Sequence, residues 1–288
     1  MIYKDREGRQ IVIESRQDNL LKKIYGNKLG RMLMKFLSYR KISDLAGKFL
    51  SSPLSKGMIG SFIKNNHIQM KEYEEEKYAS YNAFFSRKIK PQYRPVDLEK
   101  DHFIAPCDSK LSVYQIDKNS MFEIKNSYYS VESLLKSKKL SNRYRGGYCA
   151  IFRLTVDNYH RYCYIDSGIK SKNKKISGFL NTVNPVILDH VNIYKENSRE
   201  YTLMKTDHFG VVTQIEVGAL MVGKITNYHQ AARIQKGQEK GKFEFGGSTI
   251  VLLIQPDKVK FDQDILSNTE MNIETLVKMG EKIGVTWK

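Results

Sequence analysis

Two glycines stand directly before a serine near the C-terminal end of the chain, in the segment 243–249. Glycine has no Cβ, so the backbone at Gly246 and Gly247 can adopt positive φ and be approached closely. Ser248 could therefore attack the carbonyl of Gly247 and turn the peptide bond into an ester. The alternative is a glycine bulge that leads into an apolar strand, 248–254, and does no chemistry.

Two other side chains upstream could serve such a reaction. Asp108 follows a proline just before a predicted strand, where a carboxylate is commonly a turn or capping residue. His160 follows another predicted strand, where a single histidine is more often a structural hydrogen-bonding residue than a catalyst. The residues alone leave both interpretations open.

Taken in chain order, these segments resemble the phosphatidylserine decarboxylase family. Residues 243–249 are similar to the family's self-cleavage site, Leu-Gly-Ser-Thr, and residues 106–109 stand where the family has Pro-Ala-Asp-Gly. Residues 157–163 resemble its Asp-Tyr-His-Arg-x-His stretch, and residues 84–97 and 216–225 resemble two further segments. The resemblance covers the chain from about residue 84 to residue 254.

The resemblance assigns roles to particular residues. The aspartate of the first motif belongs to the self-processing apparatus, and Asp108 matches it. The family's second histidine is the proposed base, and here it is replaced by Cys163. Either His160 supplies the base, oriented by Asp108, or Cys163 does so as a thiolate with a lowered pKa. We favour His160, because imidazole titrates near neutral pH. Arg199 is a further candidate, for binding the phosphate or carboxylate of the substrate.

The resemblance also implies a mechanism. Attack by Ser248 on Gly247 would divide the chain into a large chain, 1–247, and a small chain, 248–288, with Ser248 converted into a covalent pyruvoyl group. This ketone would form a Schiff base with the amine of phosphatidylserine and accept electrons as carbon dioxide leaves, giving phosphatidylethanolamine. We expect no metal and no dissociable cofactor.

Composition indicates where such a protein would work. The 48 basic and 31 acidic residues give a net charge of +17, and residues 1–70 carry 14 of the former and 5 of the latter. This balance favours a polyanionic partner. Apolar residues recur at helical spacing between lysines and arginines over 20–37, a pattern typical of an interfacial membrane helix or of a helix packed on the core. We find no nucleic-acid-binding motif, apolar span or signal peptide, and the three cysteines do not form a disulfide pattern. We therefore expect a peripheral protein on the cytoplasmic face of the membrane, bound to anionic phospholipid and not to nucleic acid.

The spacing of apolar and β-branched residues along the chain predicts an α+β fold. Helical spacing over 45–63, broken near Pro53, indicates a helical, membrane-associating region at 1–78, and short β-branched runs from Phe84 onward indicate a β-rich catalytic domain at 79–288. The predicted strands are 110–116, 148–154, 213–217, 220–225 and 248–254. A short helix capped by Ser130 is predicted at 131–135, a hairpin around Gly8 at 1–16, and an exposed loop at 170–175.

Two other functions stay open at this point. A pyruvoyl-dependent decarboxylase of a soluble amino acid would share the chemistry but would not need the basic N-terminal region. A non-catalytic protein that binds lipid or nucleic acid would explain the loss of the second histidine. The sequence also leaves the oligomeric state open, including a homo-oligomer.

Overall fold

The computed structural model describes residues 2–12, 40–125, 127–180, 195–218, 224–245 and 248–287. These residues form mostly β-sheet with a few helices, which confirms the α+β class. The helices are α1 (Arg40–Leu50), α2 (Gly57–Asn65), α3 (Tyr81–Phe85), α4 (Val131–Leu135), α5 (Lys138–Ser141) and α6 (Gln263–Glu270), with 3₁₀ turns at Pro53–Lys56, Met70–Glu72, Pro91–Tyr93 and Asn142–Tyr144.

The strands, in chain order, are β1 (Ile2–Lys4), β2 (Gln10–Val12), β3 (His102–Ile104), β4 (Ser109–Gln115), β5 (Phe122–Ile124), β6 (Ser127–Tyr129), β7 (Tyr148–Leu154), β8 (Arg161–Cys163), β9 (Gly168–Lys170), β10 (Lys174–Ile176), β11 (Phe179–Leu180), β12 (Lys195–Glu196), β13 (Arg199–Thr206), β14 (Val211–Val217), β15 (Ile225–Asn227), β16 (Ala232–Ile234), β17 (Glu239–Phe243), β18 (Ser248–Ile254), β19 (Val259–Phe261), β20 (Glu274–Val277) and β21 (Lys282–Thr286).

One large sheet organises the described part of the chain. Its strands follow the order β16-β9-β13-β14-β18-β7-β4-β20-β1-β2, with β10 paired to β13. Strand β18 lies in the middle, antiparallel to both neighbours, and all seven of its residues are buried. A strand covered on both faces reads as a continuous apolar run rather than an alternating one, which is why 250–254 is Ile-Val-Leu-Leu-Ile.

A separate core covers each face of β18. Ile250, Leu252 and Ile254 point into one core, and Val251 and Leu253 point into the other. The first core also contains Tyr162 and Phe243 from a smaller sheet ordered β15-β17-β8. Strand β17 of this smaller sheet and β18 of the large sheet are therefore consecutive in the chain but lie in different layers.

Several local predictions are confirmed. Strands 148–154 and 248–254 have the predicted bounds, and α4 spans 131–135 with the Ser130 hydroxyl accepting a hydrogen bond from the Ser133 N–H at 3.1 Å. The helical stretch 45–63 divides at Pro53 into α1 and α2. The N-terminal hairpin forms with Gly8 at φ 82°. The predicted helix at 20–37 and most of the predicted strand at 220–225 lie outside the described residues. No helix within the described ranges is long and apolar enough to cross a membrane.

The exposed loop predicted at 170–175 is confirmed only for 171–173, which lie outside the strands, with Lys172 exposed. Lys170 ends β9 and Lys174 begins β10, so half of this segment belongs to the large sheet. The Lys170 ammonium is buried and donates to the carbonyls of His229 and Gln230 at 2.9 and 2.8 Å. A lysine whose charge is satisfied by carbonyl oxygens can enter the interior, and sequence composition does not distinguish it from a solvated one.

Candidate active site

Ser248 is the first residue of β18. It is 1% exposed and stands opposite Leu154, the last residue of β7. Continuing the pairing of Val217 with Thr249 places Gly218, which has no side chain, across from Ser248 on the other side. Ser248 therefore lies at the end of a central strand of the large sheet. Gly247, the predicted partner in cleavage, lies outside the described residues.

The turn that follows β7 holds His160, whose carbonyl accepts a hydrogen bond at 2.9 Å from the N–H of Phe243, five residues before Ser248. The Asn158 side chain accepts a hydrogen bond from the Thr155 N–H at 2.8 Å, and the Asn158 N–H donates to the Thr155 carbonyl at 2.9 Å. The Asn158 carbonyl in turn accepts a hydrogen bond from His160 Nδ1 at 2.8 Å. Because Nδ1 carries the proton, Nε2 has its lone pair available. Nε2 is buried and has no hydrogen-bond partner among the described residues.

His160 is fully buried, and its ring centre lies 4.0 Å from that of Phe85. Its pKa is lowered to about 3, mainly by burial, with the positive charges of Arg87 and Lys125 contributing and the hydrogen bond to Asn158 opposing the change. The prediction of a histidine that titrates near neutral pH is therefore wrong for this structure. His160 is a neutral imidazole at physiological pH, able to accept a proton but weakly basic.

Helix α3 forms a wall beside the segment that precedes the predicted cleavage site. Its Asn82 side chain accepts a hydrogen bond from the Phe245 N–H at 3.2 Å. The Phe245 ring contacts the rings of Tyr81 and Phe85, with centres 5.2 Å apart in both cases. The stretch 84–91, which on its own resembles a charged surface turn, begins with two fully buried phenylalanines. Sequence reasoning missed Asn82, because an asparagine inside a short helix carries no signal of its partner.

Asp108 is held by Arg94, a residue that sequence reasoning did not assign to the site. The Arg94 Nε and Nη2 donate to the Asp108 carboxylate at 2.7 and 2.5 Å, and the Met279 N–H donates at 2.9 Å. The hydrogen bond that orients His160 comes from Asn158 and not from Asp108. The predicted Asp108–His160 pair is thus replaced by an Arg94–Asp108 ion pair. The available signal was that Arg94 lies in the same family-like segment, 84–97.

Cys163 is paired with the segment that leads to Asp108, because its N–H donates to the Pro106 carbonyl at 2.9 Å. Its thiol is fully buried, and burial raises its pKa to about 12, with the negative charges of Glu239 and Asp108 adding to the effect. The thiolate alternative therefore fails, because the surroundings favour the protonated thiol. A low-pKa thiolate needs a cation or helix N-terminus beside it, and here the neighbouring charges are negative.

Arg199 has a structural role in place of the predicted contact with substrate. It is fully buried, and its guanidinium donates to the carbonyls of Leu134, Asn197 and Ser133 at 2.8, 3.0 and 2.6 Å. Two of these carbonyls belong to the last turn of α4, where they have no intrahelical donor. A buried arginine that caps a helix in this way is committed to the scaffold.

Comparison with known proteins identifies the family. The family model described as phosphatidylserine decarboxylase matches residues 81–285. The chain belongs to the phosphatidylserine decarboxylase family. A protein named phosphatidylserine decarboxylase proenzyme 2 from Clostridium acetobutylicum is 49% identical over 284 residues, which cover 98% of this chain and 97% of the relative. Proteins named phosphatidylserine decarboxylase proenzyme from Clostridium perfringens and Ruminiclostridium cellulolyticum are 39% and 41% identical, over 90% and 92% of this chain and 90% of each relative.

The matched region contains every residue predicted for the site, including Asp108, His160, Cys163, Arg199 and Ser248. It begins at residue 81, the first residue of α3. The wall beside the cleavage segment therefore belongs to the decarboxylase region, and α1 and α2 precede it.

Proposed function

We propose that this protein is a self-processing, pyruvoyl-dependent phosphatidylserine decarboxylase that releases phosphatidylethanolamine. Two observations carry the proposal: Ser248 lies at the start of a central strand, and a buried histidine, His160, pairs through its carbonyl with Phe243 in the strand that leads toward Ser248. The Nε2 of this histidine is unprotonated and lacks a partner among the described residues. An unpaired buried acceptor is costly, and such atoms occur where a structure serves a reaction.

Self-cleavage requires a proton acceptor for the Ser248 hydroxyl. In our proposal His160 Nε2 takes this proton, while Nδ1 stays on the Asn158 carbonyl and fixes the ring. Cys163 is a neutral thiol and is not proposed as the base. Asp108 is proposed as a positioning residue, because its carboxylate binds both Arg94 in the future large chain and the N–H of Met279 in the future small chain.

The prosthetic group fits this site. The residue that would carry it is buried at the end of a fixed strand, and the orphaned Nε2 of His160 is available to hold or give a proton there. The pyruvoyl group supplies a ketone that condenses with the substrate amine and accepts the electron pair left when carbon dioxide departs. The surrounding residues then exclude water and position the proton donor. Phe85 and Phe245 provide apolar cover, and His160 provides the proton-carrying atom.

The two chains would stay together after cleavage. Strand β18 of 248–288 lies between β14 and β7 of 1–247, and β20 lies between β4 and β1. In addition, the Arg6 guanidinium of the N-terminal hairpin binds Asp262 and Asp264, both at 2.7 Å. Removing the small chain would break these ladders, so we propose a tightly associated pair of chains.

The surface formed by α1, α2 and the 3₁₀ turn between them favours a lipid substrate. Four apolar side chains are exposed there: Leu45 by 68%, Phe49 by 45%, Leu54 by 82% and Met58 by 43%. Lys48 and Lys56 lie among them and are exposed as well. Exposed apolar side chains beside cations are what binding to an anionic bilayer requires.

This surface is close to the proposed site. The opposite sides of α1 and α2 contribute Leu50, Ile59 and Phe62 to a cluster that also contains Phe85 and Phe245. A bilayer bound by the outer side would therefore lie one helical layer from the cleavage segment. We propose peripheral attachment through this surface, with 1–78 as the membrane-associating region and 79–288 as the catalytic domain, except that residues 2–12 add two strands to the catalytic sheet.

The test is to compare the protein with its Ser248→Ala variant on two substrates. Wild-type protein should release carbon dioxide and phosphatidylethanolamine from phosphatidylserine vesicles and be inactive on free serine, and Ser248→Ala should be inactive on both. Activity on free serine alone would favour the soluble amino acid decarboxylase. Vesicle binding without any product from wild-type protein would favour the non-catalytic lipid-binding protein.

A further inference from the structure

A buried ion pair joins the two sheets close to Ser248. Lys240 Nζ lies 2.7 Å from Glu216 Oε1 and 2.6 Å from Asn227 Oδ1, and both charged side chains are 0% exposed. Asn227 also donates from its Nδ2 to the other carboxylate oxygen of Glu216 at 3.2 Å and to Glu200 at 3.0 Å. The amine of Lys240 is thus held by two acceptors in the interior.

The backbone brings Lys240 to this place by a bulge. In the pairing of β17 with β8, Glu239 lies opposite Cys163 and Gly241 lies opposite Tyr162, so Lys240 is the extra residue. A bulge re-aims one side chain out of the normal alternation of a strand. Strand β17 then runs on toward the segment in which cleavage is proposed.

The strand register gives the separation between this pair and Ser248. Glu216 stands opposite Ile250, which is two residues from Ser248 and therefore has its side chain on the same face. Diagonal neighbours of this kind have Cβ atoms about 7 Å apart. The Lys240 ammonium is thus bound to the side chain diagonal to the residue proposed to become a ketone, on the same face of the large sheet.

A neutral amine at such a distance from a ketone is a chemical hazard. The nitrogen lone pair would attack the carbonyl carbon, water would leave, and a C=N bond would join the two chains. An ammonium has no lone pair and cannot do this. Burial is the largest influence and leaves the pKa of Lys240 below its ordinary value, although the negative charge and hydrogen bond of Glu216, and the charge of Glu200, oppose this change. Without Glu216 only the weaker charge effect of Glu200 opposes burial, so the balance moves further toward the neutral amine.

We propose that Glu216 and Asn227 hold Lys240 as a sequestered ammonium, and that this arrangement reserves the ketone derived from Ser248 for the amine of the substrate. The inference rests on the proposed function, because it requires that ketone. On this inference the Lys240–Glu216 pair prevents an amine of the protein from reacting with the ketone. Two apolar residues of similar volume would also prevent it, whereas a lysine without Glu216 would not.

The test is reductive cross-linking of the processed protein. Sodium cyanoborohydride reduces a protonated C=N bond faster than a ketone: hydride adds to carbon, and the nitrogen keeps its proton, leaving a stable secondary amine. Wild-type protein should give no species combining chains 1–247 and 248–288 on a denaturing gel or by intact mass. In Glu216→Gln the amount of this cross-linked species should exceed the wild-type background by at least about tenfold. In the double variant, Glu216→Gln with Lys240→Met, the amount should return to the wild-type background.

Each outcome decides the question. An equal cross-link in wild-type protein, or none in a Glu216→Gln protein whose small chain carries the ketone, would overturn the inference. If Glu216→Gln does not process, Glu216→Asp, whose shorter side chain draws the carboxylate away from the Lys240 ammonium, decides in the same way. Hydroxylamine labelling, which detects the ketone, is carried out first on the small chain of wild-type protein. If no ketone is found there, the proposed function is refuted, and the inference is refuted with it.

Discussion

Self-cleavage should depend little on pH between about 5 and 8, because the proposed base is already neutral throughout this range. With the pKa of His160 lowered to about 3, about 99% of the imidazole is unprotonated at pH 5. A histidine with the ordinary pKa of about 6.5 would be only about 3% unprotonated there. The two cases therefore differ by about 30-fold in the rate at pH 5 relative to pH 8.

The assay is a time course of newly synthesised precursor at several pH values, with precursor and large chain separated on denaturing gels. His160→Gln should slow cleavage by roughly 10²- to 10⁴-fold, the usual contribution of a general base. His67→Asn is the matched control, because His67 is exposed at φ 52°, a conformation that asparagine tolerates. A cleavage rate about 30-fold lower at pH 5 than at pH 8, in a precursor that circular dichroism shows to be folded, would refute the reasoning. Cleavage of the His160→Gln variant at the wild-type rate would refute it as well.

Three other perturbations follow from the contacts. Arg94→Met should lower the free energy of unfolding by roughly 3–5 kcal/mol in urea titrations, because it leaves Asp108 buried without its partner, and adding Asp108→Asn should recover part of the loss. Arg199→Lys should lower it by at least about 2 kcal/mol through lost hydrogen bonds to carbonyls while leaving the KM for phosphatidylserine unchanged; a raised KM with unchanged stability would restore a substrate-binding role. Leu54→Glu should weaken sedimentation with anionic vesicles by roughly 10- to 100-fold, from the loss of about 1.5–3 kcal/mol of burial, and the equally polar change Leu98→Glu, at a loop position 70% exposed, should not.

Much of the fold was predictable because the signals were local. The strand at 248–254 follows from an uninterrupted apolar run, and the helix at 131–135 follows from a serine cap. Ser248, Asp108 and His160 could be selected because each lies in a segment that resembles the family. These predictions needed no knowledge of which distant residues meet.

The errors concern burial and partners, which depend on contacts between distant parts of the chain. Arg199 was expected to be a free cation, but it caps α4, some 65 residues away in sequence. Lys170 looked like part of a solvated loop, although carbonyls from 229 and 230 satisfy its charge. Asp108 was expected to bind His160, and instead binds Arg94. In each case the sequence shows the charged group but not the acceptor that the fold brings to it.

The pKa predictions failed for the same reason. Reference values describe groups in water, and both His160 and Cys163 are fully buried. Burial disfavours the charged form of each, so the histidine stays neutral and the thiol stays protonated. His160 is still proposed as the base in preference to Cys163, but the reason changes from its pKa to the lone pair of Nε2, which has no hydrogen-bond partner among the described residues.

The most direct measurement is the intact mass of the purified protein under denaturing conditions. Our account predicts two species, residues 1–247 and 248–288, with the smaller one lacking a free N-terminal amine and carrying the mass of a terminal pyruvoyl group. A single full-length species that persists on incubation would contradict self-processing at Ser248, and with it the proposed enzyme.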